Sequence, residues 1–405
     1  MHTDMIKRIL LMAPLLAVTA VRPLAAAEPP PTFGQWLDGV RQEARAQGIT
    51  GTFLDKALAG IRPIKRVIEL DRKQPEFTLT FWKYLDNSVN EARVRRGKEL
   101  LAKHGPLLAK TARRYGVQPR FIVAFWGLES NFGKYTGVFP VLGAVATLAH
   151  DPRRSRFFRQ QLMAALTIMS RGDVAIRANG SWAGAMGNFQ FIPTTYRDFA
   201  VDADNDGRRD LWRNFPDMFA SAANYLSRSG WRNGWSWGRE IRLPKGFRFG
   251  LTGLDVLKSL AQWQLLGVRR IDGRDLPKED TEGSIVLPAG FNGPAFMVYQ
   301  NYRTILKWNR SLLYAIAVGH LADRLVGGGP FRSPRPAREV PLSRADIQSL
   351  QRLLTAKGYD AGGADGVVGP KTRSALKAYQ EKALLPADGY PTIGLLERLQ
   401  GTNGG

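Results

Sequence analysis

One stretch of the chain, from residue 33 to about residue 326, contains all ten tryptophans and has apolar residues at helical spacing. In residues 119–128 this spacing places Phe121, Phe125 and Leu128 on one face of a helix. Residues 219–226 and 311–325 also have the helical period. Residues 240–243 and 284–287 have the alternation of a strand. The sequence therefore predicts a mainly α fold with a small β element.

The chain has no cysteine, so disulfides and thiol chemistry are excluded. Lipid attachment at a processed N-terminal cysteine is excluded for the same reason. With 44% hydrophobic residues, the chain is expected to fold around a packed apolar core.

The N-terminus has the form of a secretory signal. Lys7 and Arg8 precede an apolar run over residues 9–21, and three alanines stand at 25–27. The run is too short to span a bilayer comfortably, so a retained anchor is the weaker alternative. We predict a signal peptide over residues 1–27, and an exported, periplasmic, soluble protein that is not a lipoprotein and has no membrane span.

The net charge is +23, of which the leader contributes only +2, from Lys7, Arg8 and Arg22 against Asp4. Such a charge is typical of proteins that bind nucleic acid. Because export is predicted, the polyanion expected here is the cell envelope, whose peptide stems carry free carboxylates. We predict no nucleic-acid partner.

Residues 327–341 are rich in glycine, proline and arginine and are predicted to form a flexible linker. Beyond it, residues 342–400 have three helical segments. Ser343 is placed to cap the first of them, with Asp346 three residues on. The predicted domains are thus residues 28–326 and 342–400, joined by this linker.

Glu129 ends a strongly apolar run in the sequence FWGLESNFG at residues 125–133. Charged side chains are rarely buried without a reason. Apolar neighbours raise the pKa of a carboxyl group, which is what a proton donor near neutral pH requires. A helix-end glutamate that faces solvent is the alternative on these residues alone.

A second segment, residues 181–193 with the sequence SWAGAMGNFQFIP, combines small residues with polar side chains. Its glycines allow the backbone to approach a ligand closely. Gln190 offers a donor and an acceptor, which suits an amide or a sugar hydroxyl. A glycine-rich packing loop is the alternative.

Together, ESNFG at 129–133 and AGAMGxxQFxP at 183–193 resemble the lytic murein transglycosylases of the B family. The match continues, in order, with DPRR at 151–154, ANYL at 223–226 and WNRS at 308–311. The resemblance implies a lysozyme-like, mainly helical catalytic domain. Such enzymes cleave the bond between N-acetylmuramic acid and N-acetylglucosamine without water and leave a 1,6-anhydro-muramyl end. Residues 342–400 resemble the three-helix peptidoglycan-binding module of many wall-active enzymes.

Glycosidases usually use two carboxylates, but only Glu129 stands in a matching motif; the next acid, Asp151, begins the DPRR segment. One carboxylate suffices if the substrate's N-acetyl group stabilises the developing cation. Glu129 would protonate the leaving oxygen and then accept the proton of the C6 hydroxyl that attacks C1. No catalytic cofactor is expected, and the expected partners are glycan strands, peptide stems and other envelope proteins. A lysozyme-type muramidase and a non-catalytic peptidoglycan-binding protein stay open as alternatives.

The resemblance also implies roles for residues around the glutamate. Those expected to line sugar subsites are Ser181, Met186 and Gln190. Those expected near the glutamate and the acetamido group are Tyr225, Asn309 and Tyr314. Tyr84 is a further candidate. Arg153 and Arg154 are expected to hold stem carboxylates through forked hydrogen bonds. Trp308 departs from the family pattern, in which a tyrosine is usual, and this puts a hydroxyl role there in doubt.

Residues 202–210, DADNDGRRD, have aspartate at positions one, three and five and glycine at six, as an EF-hand calcium loop begins. Position twelve is Arg213, so the usual bidentate glutamate is missing, and the resemblance implies a later acid instead. The predicted ligands of a structural Ca²⁺ are Asp202, Asp204, Asp206, the backbone oxygen of Arg208, and Asp217. A solvated acidic turn is the alternative.

Overall fold

A computed structural model describes residues 31–73, 79–337 and 339–401, so the predicted leader, residues 1–27, lies outside the described residues. Helices predominate, which confirms the mainly α class. They are α1 (Phe33–Ala46), α2 (Gly51–Leu58), α3 (Lys65–Lys73), α4 (Phe81–Ser88), α5 (Glu91–Lys103), α6 (Gly105–Tyr115), α7 (Pro119–Ser130), α8 (Val141–His150), α9 (Ser155–Ser170), α10 (Pro193–Phe199), α11 (Phe215–Arg228), α12 (Leu260–Leu265), α13 (Gln300–Trp308), α14 (Leu312–Leu325), α15 (Arg344–Ala356), α16 (Pro370–Lys382) and α17 (Ile393–Gln400), with 3₁₀ helices at Pro152–Arg154 and Phe249–Leu251. In the ranges described, no helix is both long enough and apolar enough to cross a bilayer.

Within the described residues, the strands form two small antiparallel sheets. They are β1 (Phe139–Pro140), β2 (Asn179–Gly180), β3 (Gly238–Arg242), β4 (Lys258–Ser259), β5 (Arg269–Arg270), β6 (Glu282–Val286) and β7 (Ala295–Val298). β1 pairs with β2, and the larger sheet has the order β4-β6-β7-β3-β5. In its centre Ile241 lies opposite Ala295, and Ser284 lies opposite Val298. Both segments predicted as strands therefore belong to this sheet, separated by β7.

The core of the larger domain is built around α7 and α14, which pack against each other. In α7 every residue from Phe121 to Gly127 is buried. A helix that is apolar on all sides belongs in the interior, and each large side chain buried there contributes about 1.5–3 kcal/mol. Gly127 lets Phe132 and Leu321 pack closely against α7, because a Cβ at this position would lie 2.8 Å from the ring of Phe132 and 3.3 Å from Leu321. This packing fixes the last turn of α7, which carries Glu129.

The turn after α7 is held in an unusual backbone conformation. Asn131 and Phe132 have φ of 50° and 61°, in the left-handed region that non-glycine residues rarely adopt. At Gly133, a Cβ would lie only 2.4 Å from Oδ1 of Asn188. This backbone conformation costs about 1–3 kcal/mol per residue, and it places the chain after Glu129 against the loop of Asn188.

The linker differs from its prediction, because it is held against the larger domain rather than loose. The ring of Phe331 stacks on His320, with centroids 3.8 Å apart. The two backbone N–H groups that follow Phe331 donate to the carboxylate of Glu240, at 2.8 and 2.7 Å. Arg335 forms a two-pronged ion pair with Asp86, at 2.9 and 2.8 Å. An apolar anchor and ionic contacts therefore order a segment whose composition indicates flexibility.

The C-terminal unit is a three-helix module, as predicted. Ser343 caps α15 in a reciprocal box with Asp346: each backbone N–H bonds the other's side chain, at 2.8 and 3.1 Å. Asp388 accepts the backbone N–H of Phe291 at 2.8 Å, and Arg344 donates to the carbonyl of Arg72 at 2.8 Å. Through these hydrogen bonds the module contacts the larger domain at α3 and at the segment before β7.

Candidate active site

The carboxylate of Glu129 receives two hydrogen bonds on one oxygen. Nε1–H of Trp308 donates to Oε1 at 2.9 Å, and the hydroxyl of Tyr314 donates to the same atom. Tyr314 is only 5% exposed. Burial, and then the negative charge of Glu129, raise the pKa of the Tyr314 hydroxyl well above its usual value. The phenol therefore stays protonated and acts as a donor to the glutamate.

Trp308 is positioned by aromatic side chains from three elements. Its ring centroid lies 4.5 Å from that of Phe125, 4.9 Å from that of Tyr225 and 5.4 Å from that of Phe191. Asn309 shapes the turn that follows, because its Oδ1 accepts the backbone N–H of Ser311 at 3.0 Å. The junction of α13 and α14 therefore brings Trp308 and Tyr314 to the glutamate together.

The loop of residues 186–191 is tied to the end of α7. Oδ1 of Asn188 accepts the indole N–H of Trp126 at 2.7 Å, one turn before the glutamate. Gln190 has φ of 50°, and its side-chain amide donates to the carbonyls of Thr136 at 3.3 Å and Gly187 at 2.9 Å. The two motifs that are 50 residues or more apart in the sequence are thus joined in one structure.

Ser181 and Met186 are placed differently from each other. The hydroxyl of Ser181 accepts the N–H groups of Ala183 and Ala185, at 3.2 and 3.0 Å, and the residue is half-buried. The side chain of Met186 is fully buried, with its backbone bridged to Phe191. This corrects the expectation that Met186 lines a sugar subsite, because a side chain without exposed surface supports the loop instead of contacting a ligand.

Tyr225 and Tyr84 lie on two other helices near the site. The hydroxyl of Tyr225 donates to the carbonyl of Lys307 at 2.9 Å, while its ring packs on Trp308. Tyr84, on α4, is close enough to Tyr314 to contribute to the raised pKa of that hydroxyl. Tyr225 therefore contacts Trp308, whose N–H donates to the glutamate.

Arg153 and Arg154 have a protein partner. Both guanidinium groups pair with the carboxylate of Asp71, which is only 3% exposed. The side chains of Arg153 and Arg154 stay 43% and 37% exposed, and the expectation that they hold stem carboxylates stays a prediction. Asp151 caps the adjacent 3₁₀ helix through the N–H of Arg153, at 3.0 Å, and pairs with Arg72 at 3.0 Å. The DPRR segment is thus an ionic link to α3, and Asp151 serves that link.

The acidic loop brings four carboxylates together. One oxygen from each of the following lies within 4.8 Å of all the others: Asp202, Asp204, Asp206 and Asp217. Asp217 is fully buried and accepts the N–H groups of Ala203 and Asp210, at 2.7 and 2.8 Å. Burial raises the pKa of Asp217 to about 6. Converging carboxylate oxygens, one of them buried, fit the hard cation Ca²⁺. Arg208 lies in the same loop, where its N–H donates to Asp206 at 2.8 Å.

Sequence reasoning missed two residues of this region. The sequence places Asn188 in a glycine-rich segment and gives no sign that its side chain bonds α7 and the carbonyls of Leu211 and Trp212. Asp71 lies in a helix whose sequence, KRVIELDRK, has no feature that sets this acid apart from its neighbours. Its burial depends on contacts with residues about 80 positions away.

The family profile described as Transglycosylase SLT domain matches residues 32–323. The chain belongs to this transglycosylase family. A second profile, for a peptidoglycan binding domain, matches residues 343–399. The membrane-bound lytic murein transglycosylase B of Escherichia coli (strain K12) is 30% identical over 256 residues, which are 60% of this chain and 66% of that protein. The predicted membership among lytic transglycosylases, with an appended peptidoglycan-binding module, is confirmed.

Solved structures of lytic transglycosylases are similar to this chain. SltB3 from Pseudomonas aeruginosa, in complex with NAG-anhNAM-pentapeptide or with NAG-NAM-pentapeptide, is 48% identical with a TM-score of 0.87, over 91% of this chain and 99% of that one. The Escherichia coli lytic transglycosylase Slt35 in complex with calcium is 27% identical with a TM-score of 0.61, over 74% of this chain and 94% of that one. The lysozyme-like fold predicted for this transglycosylase is confirmed.

Proposed function

We propose that this protein cleaves the β-1,4 bond between N-acetylmuramic acid and N-acetylglucosamine in peptidoglycan and forms 1,6-anhydro-muramyl ends. The observation that carries the proposal is the setting of Glu129: one carboxylate with two fixed donors at Oε1. Asp151, the next acid along the chain, is engaged by Arg72 and by the 3₁₀ helix. The complex of SltB3 with an anhydro-muramyl ligand supports the same chemistry in a relative of 48% identity.

The reaction follows from one carboxyl group used twice. Protonated Glu129 gives its proton to the glycosidic oxygen as the bond from that oxygen to C1 breaks. The substrate's acetamido group stabilises the developing positive charge at C1. The carboxylate then accepts the proton of the C6 hydroxyl while this oxygen bonds to C1. Glu129 ends protonated, as it began, and no water is consumed.

Polar side chains near the glutamate are proposed to bind the sugars. Ser181 and Gln190 are half-buried at the loop that approaches α7, and Asn309 is half-buried beside Trp308. Tyr225, whose ring packs on Trp308, is proposed to lie near the acetamido group of the bound sugar. The contacts of Arg153 and Arg154 with Asp71 support a structural role for these two residues.

The acidic loop is proposed to bind a structural Ca²⁺. Its four clustered carboxylates and the complex of Slt35 with calcium support this proposal. The ion would neutralise the charge gathered on Asp202, Asp204, Asp206 and Asp217 and so link α11 to the loop before it. Nothing in the proposed reaction passes through this ion.

The proposed setting is the periplasm, where the glycan strands and peptide stems are the substrate. The larger domain acts on the glycan, and residues 342–400 bind the wall. A second binding module raises the local concentration of an enzyme at an insoluble substrate.

The products of digestion test the proposal. Purified sacculi are digested with the protein, and the released fragments are analysed by mass spectrometry. Anhydro ends, lighter by one water than reducing ends, are expected. Reducing ends alone would make the protein a hydrolase of lysozyme type, and wall binding without release of fragments would make it a non-catalytic binding protein.

A further inference from the structure

Asn188 is a buried amide whose hydrogen bonds reach two other parts of the larger domain. It lies in the loop of residues 186–191 and is only 3% exposed. Its Oδ1 accepts the indole N–H of Trp126 at 2.7 Å. Its Nδ2 donates to the carbonyls of Leu211 and Trp212, at 3.2 and 2.8 Å. Three segments that are distant in the sequence therefore meet at one side chain.

The partners of this amide determine which way round it sits. An indole N–H can only donate a hydrogen bond, and a carbonyl oxygen can only accept one. If the amide were turned over, its NH₂ group would face the indole donor and its oxygen would face the two carbonyls. The side chain of Asn188 is therefore held in one orientation, and the loss of these bonds would leave buried polar groups without partners.

The backbone on both sides of the amide is fitted closely to it. A Cβ at Gly133 would lie 2.4 Å from Oδ1 of Asn188, and a Cβ at Gly187 would lie 2.5 Å from the carbonyl oxygen of Leu211. Both glycines have positive φ, of 83° and 68°. A larger residue at either place would push the segments apart. The turn that follows Glu129 thus contacts the loop directly at Asn188.

The carbonyls that accept from Asn188 belong to an anchored segment. The N–H of Asp210 donates to the buried carboxylate of Asp217, on α11, at 2.8 Å. Oδ1 of Asp210 accepts the N–H of Trp212 at 2.7 Å. Asn188 therefore ties the end of α7 to a part of the chain that α11 holds in place.

We propose that Asn188 is a positioning residue that keeps the acid Glu129 and the sugar-binding Gln190 at a fixed separation. The inference rests on the proposed function, because it concerns how the acid meets the bound sugar. Trp126 lies one turn before Glu129 on α7, and the amide of Gln190 donates to the carbonyl of Gly187, next to Asn188, at 2.9 Å. Without Asn188 the acid can shift relative to the sugar, and a misplacement of about 1 Å can cost about 10²-fold in rate.

This role has a signature in the split between kcat and KM. The sugar still binds to the loop, but the acid meets the glycosidic oxygen less well, so the loss falls on the transition state. A residue that only stabilises the fold acts differently. Its loss lowers Tm and the amount of folded protein, and leaves the kcat of the folded molecules unchanged.

Two single variants, their combination and one control test the inference. Asn188→Leu keeps the size of the side chain and removes its three hydrogen bonds, whereas Trp126→Phe keeps an aromatic ring and removes the indole N–H. The control is Asn301→Leu. Asn301 is fully buried, accepts the N–H of Arg232 at 2.7 Å, and donates to the carbonyls of Arg232 and Trp235 at 3.0 and 2.9 Å. It therefore has the same set of bonds, in the contact of α13 with the segment before β3.

For each variant, kcat and KM are measured on a defined glycan and normalised to the folded fraction found by circular dichroism. Both single variants are expected to lose roughly 10- to 100-fold in kcat, with little change in KM. Because both remove the bond between Asn188 and α7, the double variant should lose about as much as Asn188→Leu alone. Asn301→Leu should lower Tm and leave kcat in place.

Three results would overturn the inference: an unchanged kcat in Asn188→Leu, losses of kcat that multiply in the double variant, or an equal loss of kcat in Asn301→Leu. If Asn188→Leu does not fold, Trp126→Phe decides, and an unchanged kcat in that variant overturns the inference. Absence of anhydro products from the unmodified protein would instead refute the proposed function.

Discussion

Replacement of Glu129 by glutamine isolates the chemistry of this residue from its packing. The amide has the same length as the carboxyl group, and its oxygen can accept the hydrogen bonds of Trp308 and Tyr314. It cannot donate a proton to the glycosidic oxygen or act as a base afterwards. The variant therefore removes both proposed roles and leaves the surrounding contacts in place.

The expected loss of activity is large. A positioned general acid or base contributes typically about 10²- to 10⁴-fold, and Glu129 is proposed to serve as both, so turnover should fall by about 10⁴-fold or more. The effect on stability should be small. The amide oxygen accepts the same two hydrogen bonds as the carbonyl oxygen of a protonated carboxyl group, so the free energy of unfolding should change by less than about 1 kcal/mol.

The assay measures turnover and wall binding separately. Soluble fragments released from sacculi are quantified by mass spectrometry, and binding is measured by sedimentation with the insoluble wall. Glu99→Gln is the matched control, because Glu99 is an exposed helical glutamate that pairs with Arg96 at 3.0 Å, on the surface of α5. Turnover above a tenth of that of the unmodified protein in Glu129→Gln would refute the reasoning, as would a loss of wall binding together with activity.

Three further predictions concern stability. Calcium at about 100 times its dissociation constant should raise the free energy of unfolding by about 2.7 kcal/mol, and EDTA or Asp204→Asn should abolish the rise in Tm. Burial lowers the pKa of His320 to about 4, so the unfolded chain binds more protons than the folded chain between pH 4 and 6.5. The free energy of unfolding should therefore fall by up to about 3 kcal/mol as the pH drops through that window. Calorimetry should show a smaller fall in His320→Phe. Asp71→Asn should cost about 2 kcal/mol in chemical unfolding, because two half-exposed guanidinium groups lose their hydrogen bonds to a charged partner, while kcat is unchanged; a lower kcat would place this ion pair in the active site.

Much of the fold was accessible from local patterns. The apolar period over residues 119–128 predicted α7, and the helix runs on to Ser130. Ser343 and Asp346 predicted the start of α15 and form the expected capping box. These predictions hold because a cap and an amphipathic face depend on residues within a few turns of each other.

Contacts between residues far apart in the sequence could not be predicted from local patterns. The resemblance implied that Arg153 and Arg154 hold stem carboxylates, and no local pattern indicated that Asp71, about 80 residues earlier, pairs with both. The linker looked flexible, but Phe331 and Arg335 find an aromatic and an acidic partner on the larger domain. Composition describes what a segment prefers in isolation, and long-range contacts can outweigh that preference.

The sequence by itself determined that Glu129 lies at the end of an apolar helix and begins a motif that resembles the transglycosylase family. It therefore determined that Glu129 is the residue proposed to carry the chemistry. It also determined the helical class and the separate C-terminal module, because these depend on short-range spacing. Only the tertiary structure decided what surrounds the carboxylate. The donor from Trp308 comes from 179 residues away, and its direction depends on how α7, α13 and α14 pack. Hydrogen-bond geometry is set by that packing, and no local pattern encodes it.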